Sequence, residues 1–294
     1  MKPAKFDYHD PTTLDKALSL IAQLGDRARP LAGGQSLVPL MNFRLVRPAH
    51  LIDLNGVEEL NYIKTDSGPL RIGAITRQRE LERSAMIAQR WPLLCEAASY
   101  IGHVQIRNRG TVGGSLAHAF PSAELPIAMV TLDASFALRS KANQRSVRAE
   151  DFFLSYMTTT LQPDELLTEI SVPAPPAQSG WSYQEVSRRH GDFALAGAAS
   201  IVALDANGAI PHARLTLTGV TPIRAQQAEE FLLGERPSDA LFRDAARRAT
   251  KDLEQDSDIH ASAEYRRDAC AVLARRALTR AAQRATAQVK GKPQ

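Results

Sequence analysis

The sequence predicts an α+β chain in two parts, and three observations carry that expectation. Extended and apolar-periodic helical patterns alternate over roughly the first fifty residues, which is how a small parallel α/β unit reads. The run Pro173-Ala174-Pro175-Pro176-Ala177-Gln178-Ser179-Gly180 then interrupts the chain with prolines that can neither continue a helix nor donate to a ladder. Beyond it, three strand patterns come together before three helical ones, the order of an α+β domain. A chain of 294 residues has room for both parts. The expected division is a first domain over 1–176, in two lobes of about 1–56 and 57–176, a second over 177–288, and a short tail over 289–294.

Phe6-Asp7-Tyr8 reads as a short strand. Pro11-Thr12-Thr13-Leu14-Asp15 opens a helix in which Thr12 and Asp15 give a capping-box pattern and Leu14, Ala17, Leu18, Ile21 and Leu24 make an apolar face. Gly25 ends that helix. Residues 29–32 form the next strand, 37–41 a short helix and 50–54 a third strand. Residues 60–64 and 69–73 flank Asp66-Ser67-Gly68 as a hairpin. Helical patterns follow at about 76–84, 91–101 and 122–132, with strands at 135–139 and 167–172. In the second part, strands at 181–188, 194–204 and 210–219, with Asp205-Ala206-Asn207-Gly208 as a hairpin turn, precede helices at about 224–233, 238–253 and 262–287. Ser238 and Ser262 are the expected N-caps. In the last helix Tyr265, Ala269, Val272, Leu273 and Ala277 recur at helical spacing, which assigns the arginines to a solvated or partner-facing side.

Composition excludes several classes. With 44% hydrophobic and 23% charged residues the chain is ordinary for a globular protein. No apolar run approaches the roughly twenty residues of a membrane span. Met1-Lys2-Pro3-Ala4-Lys5-Phe6-Asp7 lacks the apolar stretch of a secretory signal, so a cytoplasmic chain is expected. The net charge is +4, and Arg266, Arg267, Arg275, Arg276, Arg280, Arg284, Lys290 and Lys292 crowd the C-terminal segment. A basic tail can attract nucleic acid, but the aromatic interleaving that single-strand binders use for stacking is missing, and no nucleic-acid partner is expected. Cys95 and Cys270, the only cysteines, have no spacing for zinc or an iron–sulfur cluster and are expected as reduced packing residues. No metal of its own is expected for this chain. The histidines, among them His9, His50, His103, His118 and His190, show no ligand spacing, and no nucleophile–base pair stands out.

Two glycine pairs are the most informative local feature: Ala32-Gly33-Gly34-Gln35-Ser36 and Thr111-Val112-Gly113-Gly114-Ser115. A residue without Cβ lets the backbone close on a bulky anion and allows positive φ at low cost. Consecutive amides in such a turn form a concave anion site, a nest, to which neighbouring hydroxyls add donors. Two nests suit a diphosphate gripped from two sides. A lone Gly-Gly is more often simply a turn. Neither loop has the G-x-G-x-x-G spacing, and no G-x-x-x-x-G-K-[ST] occurs, which disfavours a Rossmann or P-loop site.

The surroundings of the second pair raise its weight. Gln105-Ile106-Arg107-Asn108-Arg109-Gly110 leads into Thr111–Ser115, and Pro121-Ser122-Ala123-Glu124 follows. Arg29-Pro30-Leu31 precedes the first pair and Leu37-Val38-Pro39 follows it, while Ser187-Arg188-Arg189, Gly191, Asp192, Phe193 and Ala194 make a third motif. In these three ordered motifs the chain resembles, over essentially its whole length, the FAD-binding medium subunits of the molybdenum hydroxylase (xanthine dehydrogenase) family, carbon monoxide dehydrogenase included.

That resemblance implies an α+β, two-lobed FAD-binding fold of the vanillyl-alcohol oxidase type, plus a C-terminal domain with a small antiparallel sheet and helices. It implies that Ala32, Gly33, Gly34, Gln35 and Ser36 wrap the FAD diphosphate together with Thr111, Val112, Gly113, Gly114 and Ser115. It places Glu124 where relatives carry an acid that contacts ribityl or ribose hydroxyls, and Ile101 and Leu167 where they line the flavin or adenine; plain core packing is the competing reading for the last two. His118 is the histidine expected nearest the flavin. Partners implied are a large molybdopterin-binding subunit, where substrate is hydroxylated, and a small subunit with [2Fe–2S] clusters, arranged as a dimer of heterotrimers. This chain would then relay electrons through FAD to an external acceptor, with no catalytic side chain of its own. Gln35, Phe193 and Glu185 depart from the His, Tyr and Lys expected in the carbon monoxide enzyme, which points to an N-heterocyclic or related organic substrate. Two other readings stay open on the residues alone: a free-standing FAD-dependent oxidoreductase, and a flavin-free scaffold whose glycines only turn the chain.

Overall fold

The computed structural model describes residues 2–65 and 68–290, without the side chains of 289 and 290. Asp66 and Ser67 of the expected hairpin turn, and the expected tail from 291 on with Lys292, lie outside the described residues. The chain forms two compact units, each assembled from separate stretches of sequence.

The first unit takes the described residues through Leu81, then His103–Ala119 and Ala134–Pro173. Its N-terminal part runs β1 (Asp7–His9), α1 (Leu14–Leu24), β2 (Ala28–Leu31), α2 (Leu37–Asn42), β3 (His50–Asp53). The three strands form a parallel sheet in the order β1-β3-β2, with His50 opposite both Asp7 and Ala28. Parallel neighbours need crossovers, and α1 and α2 supply them. Leu14, Ala17, Leu18 and Ile21 bury the expected face of α1 among Ile52, Leu54 and Leu60. The cap differs from the expected one. Thr13, not Thr12, has the extended N-cap backbone and accepts from the Lys16 amide, because Leu14 must already be helical to reach the core. Gly25 closes the helix at φ 53°.

The rest of this unit is built on a five-stranded antiparallel sheet in the order β4-β5-β10-β6-β7. Its strands are β4 (Ile63–Lys64), β5 (Leu70–Gly73), β6 (Ser135–Arg139), β7 (Gln144–Arg148) and β10 (Leu166–Val172). The expected hairpin is present, with Ile63 opposite Ile72. Central β10 is buried almost throughout, and edge strand β7 alternates between exposed and half-buried positions. A small hairpin, β8 (Phe153–Ser155) and β9 (Thr158–Thr159), follows a short α9 (Ala149–Phe152). Phe136, Phe152 and Phe153 pack edge-to-face beneath it, the geometry that aromatic quadrupoles favour. Helix α3 (Gln78–Arg83) starts in this unit, and α6 (Val104–Arg109) and α7 (Val112–His118) lie wholly within it.

The second unit comprises Glu82–Gly102, Phe120–Asp133 and the described residues from Ala174 on. It holds α4 (Ala85–Arg90), α5 (Pro92–Tyr100), α8 (Glu124–Thr131) and a four-stranded antiparallel sheet of β11 (Ser179–Ser187), β12 (Ala194–Ala203), β13 (His212–Leu217) and β14 (Ile223–Arg224). Three helices follow: α10 (Gln226–Leu232), α11 (Asp239–Thr250) and α12 (Ala263–Lys290). The hairpin turn at Asp205 forms as expected, its carboxylate accepting from the Asn207 and Ala209 amides. Ser238 and Ser262 accept from the amides three residues on, as expected of N-caps. Arg224, expected to open a helix, instead joins Ile223 in β14, the two pairing with Thr216 and Leu217 respectively.

Helix α12 lies across β11 and β12 with alanine facing alanine. Small side chains let the backbones approach closely. A Cβ on Gly180 would stand 2.8 Å from Arg284 Cβ and would collide with the Ala281 carbonyl. The buried face of α12 consists of Cys270, Leu273, Ala274, Ala277, Leu278, Ala281, Ala282 and Ala285. Tyr265 and Val272, expected on that face, are about half exposed, at 49% and 43%. Two of the arginines expected on the outer side turn inward: Arg266 donates to the Leu195 carbonyl and Arg284 to that of Trp181.

Candidate functional site

The first glycine pair connects β2 to α2 in the first unit. Gly34 has φ 71°, a conformation open to glycine because no Cβ meets the following carbonyl. A Cβ there would also come within 3.2 Å of Val38 Cγ2. The Gln35 carboxamide folds back onto the Gly33 carbonyl at 3.0 Å. Among the described residues, no acceptor takes the amides of residues 32–36. Backbone donors normally find partners, so this stretch offers a row of uncommitted N–H groups beside the Ser36 hydroxyl.

The second pair differs from the expected loop. Gly113 and Gly114 lie in the first turn of α7, and neither has positive φ. Thr111 is its N-cap and its Oγ1 accepts the Gly114 amide at 3.0 Å. The Val112 amide goes to the Thr76 carbonyl, that of Gly113 to Ala74 and that of Ser115 to Thr111. These amides are thus engaged within the protein, because a helix terminus buried against a strand must satisfy its own donors. Gly113 is required by packing: a Cβ would stand 2.7 Å from the Ala74 carbonyl oxygen. What this segment can still offer a ligand is the half-buried Ser115 and the Gly114 surface.

The two segments meet. A Cβ on Gly33 would collide with the Arg109 carbonyl and lie 2.7 Å from Gly110 Cα, and one on Gly114 would lie 3.4 Å from Ala32 Cβ. Three residues outside both motifs hold this junction, Asp53, Asn55 and Arg77, and the sequence reading missed them. Their signal was position, since Asp53 ends a strand of a parallel sheet, the end at which ligand sites collect. Leu167 also belongs to the first unit, buried on β10 opposite Leu138.

Ile101 and Glu124 belong to the second unit. Ile101 is the buried C-cap of α5. Glu124 starts α8, a helix buried at all 8 of its positions. Its charge acts on Tyr183, a fully buried phenol whose hydroxyl donates to Glu185 at 3.1 Å and whose ring meets Tyr100 at 5.3 Å. Burial lifts the Glu185 carboxyl to about 7, against the pull of the Tyr183 hydroxyl. Burial and then the neighbouring carboxylates Glu185 and Glu124 hold the Tyr183 phenol well above its ordinary value. Phe193, in the third motif, is 67% exposed and packs on Phe120 with ring centroids 4.5 Å apart. His118 is half-buried, and burial lowers its pKa.

Cys95 and Cys270 are free thiols, half-buried and buried respectively. Among the described residues no His, Cys, Asp and Glu side chains gather as a metal site, and no helix is long and apolar enough to cross a membrane.

An FAD binding domain of molybdopterin dehydrogenases matches residues 4–175, and a CO dehydrogenase flavoprotein C-terminal domain matches residues 181–281. The chain belongs to the FAD-binding medium-subunit family of the molybdenum hydroxylases. It is 44% identical over 287 residues to the 6-hydroxypseudooxynicotine dehydrogenase complex subunit alpha of Paenarthrobacter nicotinovorans, with 97% of each chain covered. It is 39% identical to the caffeine dehydrogenase subunit beta of a Pseudomonas species, again over 97% of each. A solved structure of carbon monoxide dehydrogenase from Hydrogenophaga pseudoflava superposes with a TM-score of 0.94 at 38% identity, covering 97% of this chain and 99% of that one. The α+β architecture and the FAD-binding assignment expected of this medium subunit therefore hold. The first loop also fits the cofactor physically, because uncommitted amides beside a hydroxyl suit a diphosphate.

Proposed function

We propose that this medium subunit is the electron-transfer component of a heteromeric molybdenum hydroxylase. It takes electrons from [2Fe–2S] clusters of a small partner chain and passes them to an external acceptor. The large partner carries the molybdopterin and the substrate, and the assembly is a cytoplasmic dimer of heterotrimers. The observation that carries the reading is the meeting of the two glycine segments beside the amides of residues 32–36, which no acceptor takes among the described residues. When bound, FAD supplies a carrier that exchanges electrons singly or in pairs.

The protein's own part is binding and orientation. The amides of residues 32–36 donate to the diphosphate, the Ser115 hydroxyl and the Gly114 surface border it, and Thr111, Val112 and Gly113 seat that turn from behind. Glu124 accepts from sugar or ribityl hydroxyls, the role suited to an ionised carboxylate, whose oxygens only accept. Ile101 and Leu167 offer apolar surface to the rings. The FAD-binding domain ends at Pro176 and the C-terminal domain spans 177–288.

The relatives named for caffeine and for 6-hydroxypseudooxynicotine, both carrying nitrogen heterocycles, support an N-heterocyclic or related substrate for the complex. The test is purification of the chain with and without its neighbouring gene products. FAD in equimolar amount, with co-purification of a molybdenum-containing chain and a cysteine-rich chain, is the expected result. A lone, FAD-loaded chain that oxidises an organic compound unaided would overturn the relay in favour of a free-standing FAD-dependent oxidoreductase.

A further inference from the structure

The two glycine segments of the first unit are tied together by side chains that neither contains. β3 ends at Asp53 opposite Leu31 of β2, so the residues just past both strands emerge side by side. Asn55 donates through Nδ2 to the Ala32 carbonyl at 2.9 Å. Its Oδ1 accepts from Arg77 Nη2 at 2.7 Å. Arg77 Nη1 continues to the Arg109 carbonyl at 2.5 Å, and its backbone bridges to that of Thr111. Asp53 steadies Asn55 by accepting its amide at 2.9 Å, while the other Asp53 oxygen takes the Tyr8 hydroxyl.

One carboxamide and one guanidinium thus hold the carbonyls of the two peptide units that lead into Gly33 and Gly110. A trans peptide plane carries its C=O and N–H on opposite sides. Pinning the Ala32 carbonyl to Asn55 therefore fixes the opposite aim of the Gly33 N–H, one of the uncommitted amides. Arginine suits the task because its planar fork meets two acceptors at once.

We propose that Asn55 and Arg77 are positioning residues that latch the two glycine segments at one separation, so that the diphosphate of FAD meets a preformed cradle. The proposal rests on the FAD reading above and goes beyond it in assigning two residues outside every motif. Preorganisation of this kind raises affinity by removing the cost of ordering the loops on binding. Arg77 also stands near Arg109, and burial together with that like charge lowers its pKa. An anion in the cradle relieves this repulsion.

The full-length chain, stripped of flavin, is titrated with FAD and in competition with ADP, which shares the diphosphate. Asn55→Ala and Arg77→Met are each expected to weaken both ligands about tenfold or more, the loss that follows removal of a charge-assisted hydrogen bond. The double variant is expected to bind about as weakly as the worse single one, because the two residues act as a unit. Arg77→Lys is expected to recover only part of the loss, since an ammonium cannot reproduce the fork. The FAD-free melting temperature is expected to stay near that of the wild type.

FAD affinity of Arg77→Met within about twofold of wild type would overturn the latch. So would single-variant losses that simply multiply, or losses accounted for by an unfolded FAD-free chain, which would make the pair a brace for the fold alone. A wild-type chain that binds neither FAD nor ADP would overturn the flavin reading itself and the latch with it. Binding by the wild type with indifferent variants overturns the latch alone.

Discussion

Gly33 packs directly against the backbone carbonyl of Arg109, so closely that a Cβ at residue 33 has no room, with Gly110 Cα also 2.7 Å from it. Backbone cannot swing aside as a side chain can. Gly33→Ala is therefore expected to pry the two glycine segments apart, with an overpacking cost of about 1–3 kcal/mol. Melting temperature and flavin content of the purified chain are both expected to fall. An alanine variant with wild-type values of both would show that the segments do not meet in this way.

Gly114 presents the milder case. A Cβ there would lie 2.6 Å from Thr111 Oγ1, a side-chain atom that can rotate away, at the expense of the cap on α7. Gly114→Ala and Thr111→Ala are expected to lose about 1 kcal/mol each, the usual worth of an N-cap, and the double variant little more than either. Chemical denaturation of the three variants measures this. Full additivity would mean that the cap is not what Gly114 protects.

Much of the fold was legible because local chemistry and burial agree. The apolar stripe of α1, the strand pattern of β3 and the Asp205 turn each bury or cap what the sequence marked for it. Strand β7, Gln-Arg-Ser-Val-Arg, escaped notice because an edge strand with no fully buried position carries no apolar alternation. The face of α12 was misjudged for the opposite reason. In a helix so rich in alanine, Tyr265 and Val272 dominate any apolar pattern, but the sheet is close enough that only small residues fit against it. At the site, the glycine motifs marked both segments, but α7 had to engage its own amides once it was buried. Asn55 and Arg77 stayed hidden because their partners are backbone carbonyls far away in sequence.

Glu185 makes stability depend on pH in a stated direction. Burial lifts its carboxyl from the ordinary 4.5 to about 7 in the folded chain. Between those values the folded state holds a proton that the unfolded state has released, so stability falls as pH rises through the window and levels off above it. Glu185→Gln keeps an acceptor for the Tyr183 hydroxyl and removes the titration. The variant is expected to match the wild type near pH 4.5 and to exceed it by on the order of 2 kcal/mol above pH 7, allowing for partial solvent screening. Melting curves across this range decide the matter. A difference that is constant with pH would remove Glu185 as the titrating group.

Arg284 fastens α12 to two other parts of the second unit at once. Its guanidinium reaches Glu96 of α5 at 2.7 Å and the Trp181 carbonyl of β11 at 2.7 Å, and stacks over the Trp181 ring at 4.8 Å. The pair is partly buried, with side-chain exposures of 26% and 15%, so breaking it strands a carboxylate in a poor solvent. Arg284→Met is expected to cost about 2–3 kcal/mol, less than a fully buried pair would. Arg284→Lys keeps the charge but cannot hold carboxylate and carbonyl together, and is expected to cost about 1 kcal/mol. Combining Arg284→Met with Glu96→Leu removes both charges, and part of the loss is expected to return because no carboxylate is left unpaired. Denaturant titration of the wild type, Arg284→Met alone, Glu96→Leu alone and the double variant completes the cycle. A double variant less stable than the sum of the singles would show that the contribution lies in packing against Trp181 and not in the ion pair.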